Sequence, residues 1–151
     1  MRRWCFPLVV VIGALGCEAP PPPAPYERAT GIAEFMAWLL EPAADAIWDS
    51  AGQIITEGGV EDLAPTTEAG WDEVRNQAAL VSELGNLLMM PHFAQDRPDW
   101  TEISRGMVQA GARVRRAAEA RDAEALFEQG ALLYQVCVSC HQIYWREARV
   151  Q

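Results

Sequence analysis

From residue 26 to the end of this 151-residue chain, apolar side chains recur every three to four positions, and strand-type alternation is absent. That period admits helices that each bury one stripe. The last stretch shows it most strictly: Leu126, Gly130, Leu133, Cys137, Cys140 and Tyr144 follow at steps of four, three, four, three and four. This is the seam spacing of a helix in a bundle.

Four such segments are predicted. The first covers residues 27–49 and turns Ile32, Phe35, Met36, Leu39, Ala43, Ala46 and Ile47 inward, with a kink expected at Pro42, which lacks a backbone donor. A sixteen-residue connection follows over residues 50–65, long for a bundle and placed to cover one end of the core. The second helix starts at Thr66 or Thr67, where a hydroxyl can cap, and stops before Pro91; its inner positions are Trp71, Val74, Ala78, Val81, Gly85 and Leu88. The third is expected to open on Asp99, in a capping box with Glu102, and to run to about Arg121 with Trp100, Ile103, Met107, Ala110, Val114 and Ala117 inside. Asp122 caps the fourth. Two short connections imply antiparallel neighbours, so the expected fold is all-α, an antiparallel up-down-up-down four-helix bundle.

The amino terminus reads as a targeting segment. Two arginines precede an apolar run that is too short to span a bilayer, and small residues lead into Cys17. Residues 1–16 are therefore a signal peptide. The small residues before Cys17 resemble the lipobox of bacterial lipoproteins, whose cysteine is lipidated after cleavage; simple secretion is the alternative reading. The Pro-rich residues 17–26 form a semi-rigid tether, and residues 27–151 form the folded domain. The expected location is the periplasmic side, anchored to a membrane through lipid on Cys17.

Charge excludes one class of function. All twelve basic residues are arginine, and the net charge of −9 argues against nucleic-acid binding. Cleavage leaves ten basic against twenty-one acidic residues, a charge of −11, which suits docking to a redox partner with a basic surface.

The chemistry lies in CVSCH, residues 137–141. Two thiols three apart with an adjacent imidazole form the attachment signature of c-type haem: each thiol adds to a vinyl group and the imidazole becomes an axial iron ligand. Three rivals fit less well. A zinc site lacks a fourth ligand, with His92 the single other histidine. A redox dithiol belongs at a helix start, and a disulfide leaves His141 without a role.

CVSCHQIYWR near the end of an exported four-helix chain resembles the cytochrome c′ family. The resemblance implies one covalent haem c on Cys137 and Cys140, with His141 as the proximal iron ligand. Trp145 stands where the family has arginine, and Arg146 comes one later, about 100° around the helix. Members with a methionine on the first helix are six-coordinate electron carriers; members with an apolar residue there bind nitric oxide or carbon monoxide. Met36 is the methionine of this first helix, so the expected function is electron transfer without enzymatic activity, and gas binding is the alternative. Met89, Met90 and His92 are weaker ligand candidates. The resemblance also implies a homodimer through the early helices. The tryptophans and Tyr144 are expected in the core and at bundle ends, and Arg113, Arg115, Arg116 and Arg121 on a solvated face beside a helix end.

Overall fold

A computed structural model of the chain describes residue 27 and residues 29–95 and 97–148. The expected signal peptide, Cys17 and the expected Pro-rich tether lie outside the described residues. The chain is mostly helical, in the order α1 (Ile32–Phe35), a π turn (Met36–Leu40), α2 (Glu41–Trp48), strands β1 (Gln53–Thr56) and β2 (Gly59–Asp62), α3 (Glu68–Leu88), α4 (Pro98–Ala120) and α5 (Ala123–Ala148).

The first helix is continuous from α1 through the π turn into α2. Pro42 has no N–H to offer the carbonyl four residues back, and the turn just before it widens instead: the Glu41 N–H reaches the Met36 carbonyl, five residues back. The extra residue shifts the phase of the inward stripe. Phe35 and Leu40 are both buried, five apart, while Leu39, expected inside, is exposed. Ile32, also expected inside, is exposed, and Met36 is half-buried. The helix begins at Ile32 rather than at residue 27.

The connection contains a hairpin that the expectation of no strands missed. Antiparallel strands pair Gln53 with Asp62 through to Thr56 with Gly59, leaving a two-residue loop. All eight strand positions are exposed, so the hairpin adds no layer to the core.

The next three helices follow their stripes. Thr67 caps α3, its hydroxyl accepting from the Gly70 N–H at 3.1 Å. Every predicted inner position of α3 is buried. Gly85 and Gly111 let α3 and α4 approach closely: Cβ atoms there would lie 2.8 Å from a Val108 methyl and 2.9 Å from the Ala78 carbonyl oxygen, respectively. Asp99 does not cap α4. It lies inside the first turn, after Arg97 at the cap position, and Glu102 pairs with Arg105. Arg121 closes α4 in the left-handed region at φ 54°. Asp122 then starts α5, its carboxylate accepting from the Ala125 N–H at 2.9 Å.

Contacts across the pairs fix their directions. Trp100 Nε1 donates to the Leu88 carbonyl at 2.7 Å, and Gly111 meets Ser82, so α3 and α4 run antiparallel. Gly106 faces Val136 while Asp99 meets Tyr144, so α4 and α5 do also. Trp48 Nε1 donates to the Gly130 carbonyl at 3.1 Å and joins α5 to the far end of the first helix. The core between them holds Phe35, Ile47, Val74, Val81, Val114, Leu126 and Leu133, each almost fully buried. Burial of such side chains contributes about 1.5–3 kcal/mol each. Among the described residues no helix is long and apolar enough to cross a membrane.

Candidate functional site

Cys137, Cys140 and His141 lie on α5, fourteen to eighteen residues after its first residue. Leu126, Gly130 and Leu133 earlier on the same stripe are buried; Cys137, Cys140 and Tyr144 are half-buried, so the stripe opens toward solvent as α5 nears its end. The two thiols are three apart and His141 is four past Cys137, which puts all three on one face.

That face looks partly toward the first helix. Trp48 packs edge-on against Tyr134, ring centroids 5.7 Å apart, and Tyr134 stands two turns before His141 on the same line. The Glu41 carboxylate, at the junction of the π turn and α2, acts on the His141 imidazole by its charge. Burial acts more strongly and holds the His141 pKa below its ordinary value, so the ring is neutral at pH 7. A neutral imidazole keeps a nitrogen lone pair for a metal.

The thiols are shifted the other way. Burial raises Cys137, and burial with the nearby Cys137 and Asp99 raises Cys140 to about 11. Both are free thiols, protonated at neutral pH. Nucleophilic redox pairs need the opposite shift, from a helix amino terminus or a neighbouring cation. Among the described residues no three of His, Cys, Asp and Glu converge as a metal-holding group.

The far side of the pentad is braced by α4. The Tyr144 hydroxyl donates to Asp99 Oδ1 at 2.9 Å, and its ring meets Trp100 edge-on at 4.8 Å. Arg97 pairs with Asp99 Oδ2 at 3.1 Å, and its guanidinium carbon lies 5.3 Å from the Tyr144 ring centre. Arg97 and then Tyr144 hold the Asp99 carboxyl below its ordinary value. The Trp145 ring stands edge-on to His141 at 4.8 Å.

The other predicted residues disperse. Met36 opens the π turn, half-buried against the core beside Phe35, whose ring packs on Phe93 at 4.7 Å. Met89 and Met90 are half-buried at the end of α3 and His92 is exposed. Trp71 and Trp100 are buried, whereas Trp38 and Trp145 are 67% and 51% exposed, against the expectation of packing in the core or at bundle ends. Arg113 and Arg116 line an open cleft between α4 and α5, and Arg113 donates to Gln129 at 3.1 Å, two turns before the pentad. The sequence reading missed Glu41 and the Arg97–Asp99–Tyr144 brace. Only tertiary contact joins Glu41 and Asp99 to the pentad; Tyr144 was legible through its place on the α5 stripe.

Two sulfurs and a neutral imidazole nitrogen on one half-buried helix face are the donor set that c-type haem requires, so these residues fit that group. Comparisons with protein-family models, curated proteins and solved structures find no match to this chain.

Proposed function

We propose that the chain is an exported monohaem c-type cytochrome of the cytochrome c′ type that carries electrons, with no enzymatic activity of its own. The observation that carries this reading is the shared face of Cys137, Cys140 and His141, with protonated thiols and a neutral ring. Cys137 and Cys140 would hold haem c through thioether bonds and His141 would ligate its iron; when bound, the group supplies an iron that takes up and releases one electron. The antiparallel helix pairs form an up-down-up-down four-helix bundle around it.

The chain's own residues set the conditions. Burial keeps His141 neutral, and the Asp99–Tyr144 brace holds the helix turn that carries it. Met36 would supply a further donor to the iron in this reading, at the start of the π turn and five residues before Glu41, whose charge acts on His141. A thioether donor together with the imidazole would favour the ferrous state of the bound group. Signal cleavage before Cys17, lipid on that cysteine and the tether would place the protein on the periplasmic side of a membrane. With a charge of −11 for residues 17–151, it docks a basic redox partner at a rate that falls as salt rises; a homodimer through the early helices belongs to the same reading.

One observation favours the alternative, a five-coordinate binder of nitric oxide or carbon monoxide: the Met36 side chain already packs against the hydrophobic core, as adaptable buried methionines do. Absorption spectra of the purified protein, oxidised and reduced, with and without carbon monoxide, separate the two. Low-spin spectra that Met36→Ala converts to high-spin support electron transfer. High-spin spectra that change with carbon monoxide and ignore Met36→Ala overturn it, and a chain without covalent haem on a denaturing gel overturns both.

A further inference from the structure

Just before the pentad, α5 and the end of the first helix enclose an apolar groove of about 390 Å³. Trp48 and Ala51 line one side; Phe127, Gly130, Ala131, Tyr134 and Gln135 line the other. Phe127 and Tyr134 leave 57% and 52% of their surface to solvent. The two exposed rings stand two turns apart on α5, with the small residues Gly130 and Ala131 between them, and together leave an apolar surface open.

Helical register ties this groove to the pentad. Gly130 and Tyr134 precede Cys137 and His141 by seven residues each, two turns along one face. Cys137 lies three residues past Tyr134, about 4.5 Å along the axis. In the opposite direction Tyr144 is fixed to Asp99 and Trp100, and the Trp145 ring stands against His141. A flat group bonded to Cys137 and Cys140 therefore finds an apolar seat toward Tyr134. Gly130 supports the same conclusion. A Cβ there would sit 3.7 Å from Trp48 and 3.9 Å from Ile47, ordinary contact distances, so helix packing does not demand glycine. Its missing side chain leaves the groove open.

We propose that this groove seats one edge of the haem, with Trp48 and Tyr134 as positioning residues against its apolar rim. The inference rests on the haem reading above. It gives the exposed rings of α5 and the small residues between them a common purpose.

Proton NMR of the full mature holoprotein, reduced and saturated with carbon monoxide so that it is diamagnetic with or without a methionine ligand, tests the seat directly. Nuclear Overhauser contacts are expected between haem substituent protons and the rings of Tyr134 and Trp48, with Tyr134→Phe assigning the first. Haem on the Cys137–Cys140 peptide by mass, with contacts from neither ring, overturns the seat and leaves the cytochrome reading standing. No haem by mass overturns both. Gly130→Leu, which fills the groove, is expected to lower the fraction of chains with attached haem severalfold while helical circular dichroism holds; unchanged attachment in that folded variant counts against the seat.

Discussion

The Tyr144 hydroxyl donates to Asp99 Oδ1 at 2.9 Å and so ties the last turns of α5 to the first turn of α4. Tyr144 stands three residues past His141, and Asp99 acts by its charge on Cys140. One hydrogen bond therefore links the opening of one helix to the pentad on another.

Tyr144→Phe removes one of the hydrogen bonds that lower the Asp99 pKa and leaves the Arg97 pair, the strongest cause. The Asp99 pKa should rise part of the way toward its ordinary value of 3.8. A carboxylate with a depressed folded pKa contributes stability above its unfolded pKa and loses it as pH falls through the folded value. The variant should thus melt lower than the native chain at pH 7, with the gap closing in acid below both pKa values. Carbon-detected NMR titration of the Asp99 carboxyl, with thermal melts at pH 7 and pH 2, measures both; an unmoved Asp99 pKa refutes the link.

Close helix packing makes Gly111 intolerant of a methyl. A Cβ there would approach Ser82 Oγ to 2.5 Å and the Ala78 carbonyl oxygen to 2.9 Å, and backbone atoms cannot swing aside. Gly111→Ala should destabilise by about 1–3 kcal/mol in urea unfolding. Gly106→Ala is the contrast. Its nearest neighbours are Val136 methyls at 3.9 Å, so the gain in helix propensity, up to ~1 kcal/mol, should show as neutral or stabilising.

Adjacent leucines on α5 should separate in the same way. Leu133 is 0% exposed and Leu132 is 48% exposed. Leu133→Ala is expected to cost about 2–5 kcal/mol through lost burial and the cavity left behind, whereas Leu132→Ala should stay within roughly 0.5 kcal/mol. Equal losses at the two positions would show that α5 does not present this face to the core.

With its sulfur unmodified, the Cys140 thiol should form thiolate only near pH 11. Because its folded pKa lies above the unfolded value of 9.0, the associated stability is present below pH 9 and is lost as pH rises through about 11. His141 works in the opposite pH range: its folded pKa lies below 6.5, so stability falls as pH drops through 6.5 and further, where the unfolded ring takes a proton first. Thiolate absorbance against pH, with Cys140→Ser for assignment, tests the first; a thiolate at pH 8 would contradict the burial of that face.

Local periodicity reports faithfully wherever one face of a helix meets the core. The α3 stripe from Trp71 to Leu88, the Thr67 cap and the Asp122 cap follow from the sequence because each depends on neighbours within one or two turns. Residues 53–62 are exposed at every strand position, so no burial alternation announced the hairpin, and the exposed Ile54, Ile55 and Val60 with Gly58 and Gly59 were its available signals. Asp99 reads as a cap by its spacing to Glu102, yet its carboxylate bonds a residue 45 positions away.

By itself, then, the sequence determined three helical stripes and the placing of two thiols and an imidazole on one helix face, because a period of 3.6 residues brings positions three and four apart together whatever lies outside the helix. Tertiary structure alone decided the phase of the first helix, where a π turn before Pro42 puts Leu40 inside and Leu39 outside. It alone set Glu41 near His141, Asp99 beside Tyr144 and Trp48 against Tyr134. These contacts depend on how whole helices pack, and no interval along the chain encodes the distance between two residues on different helices.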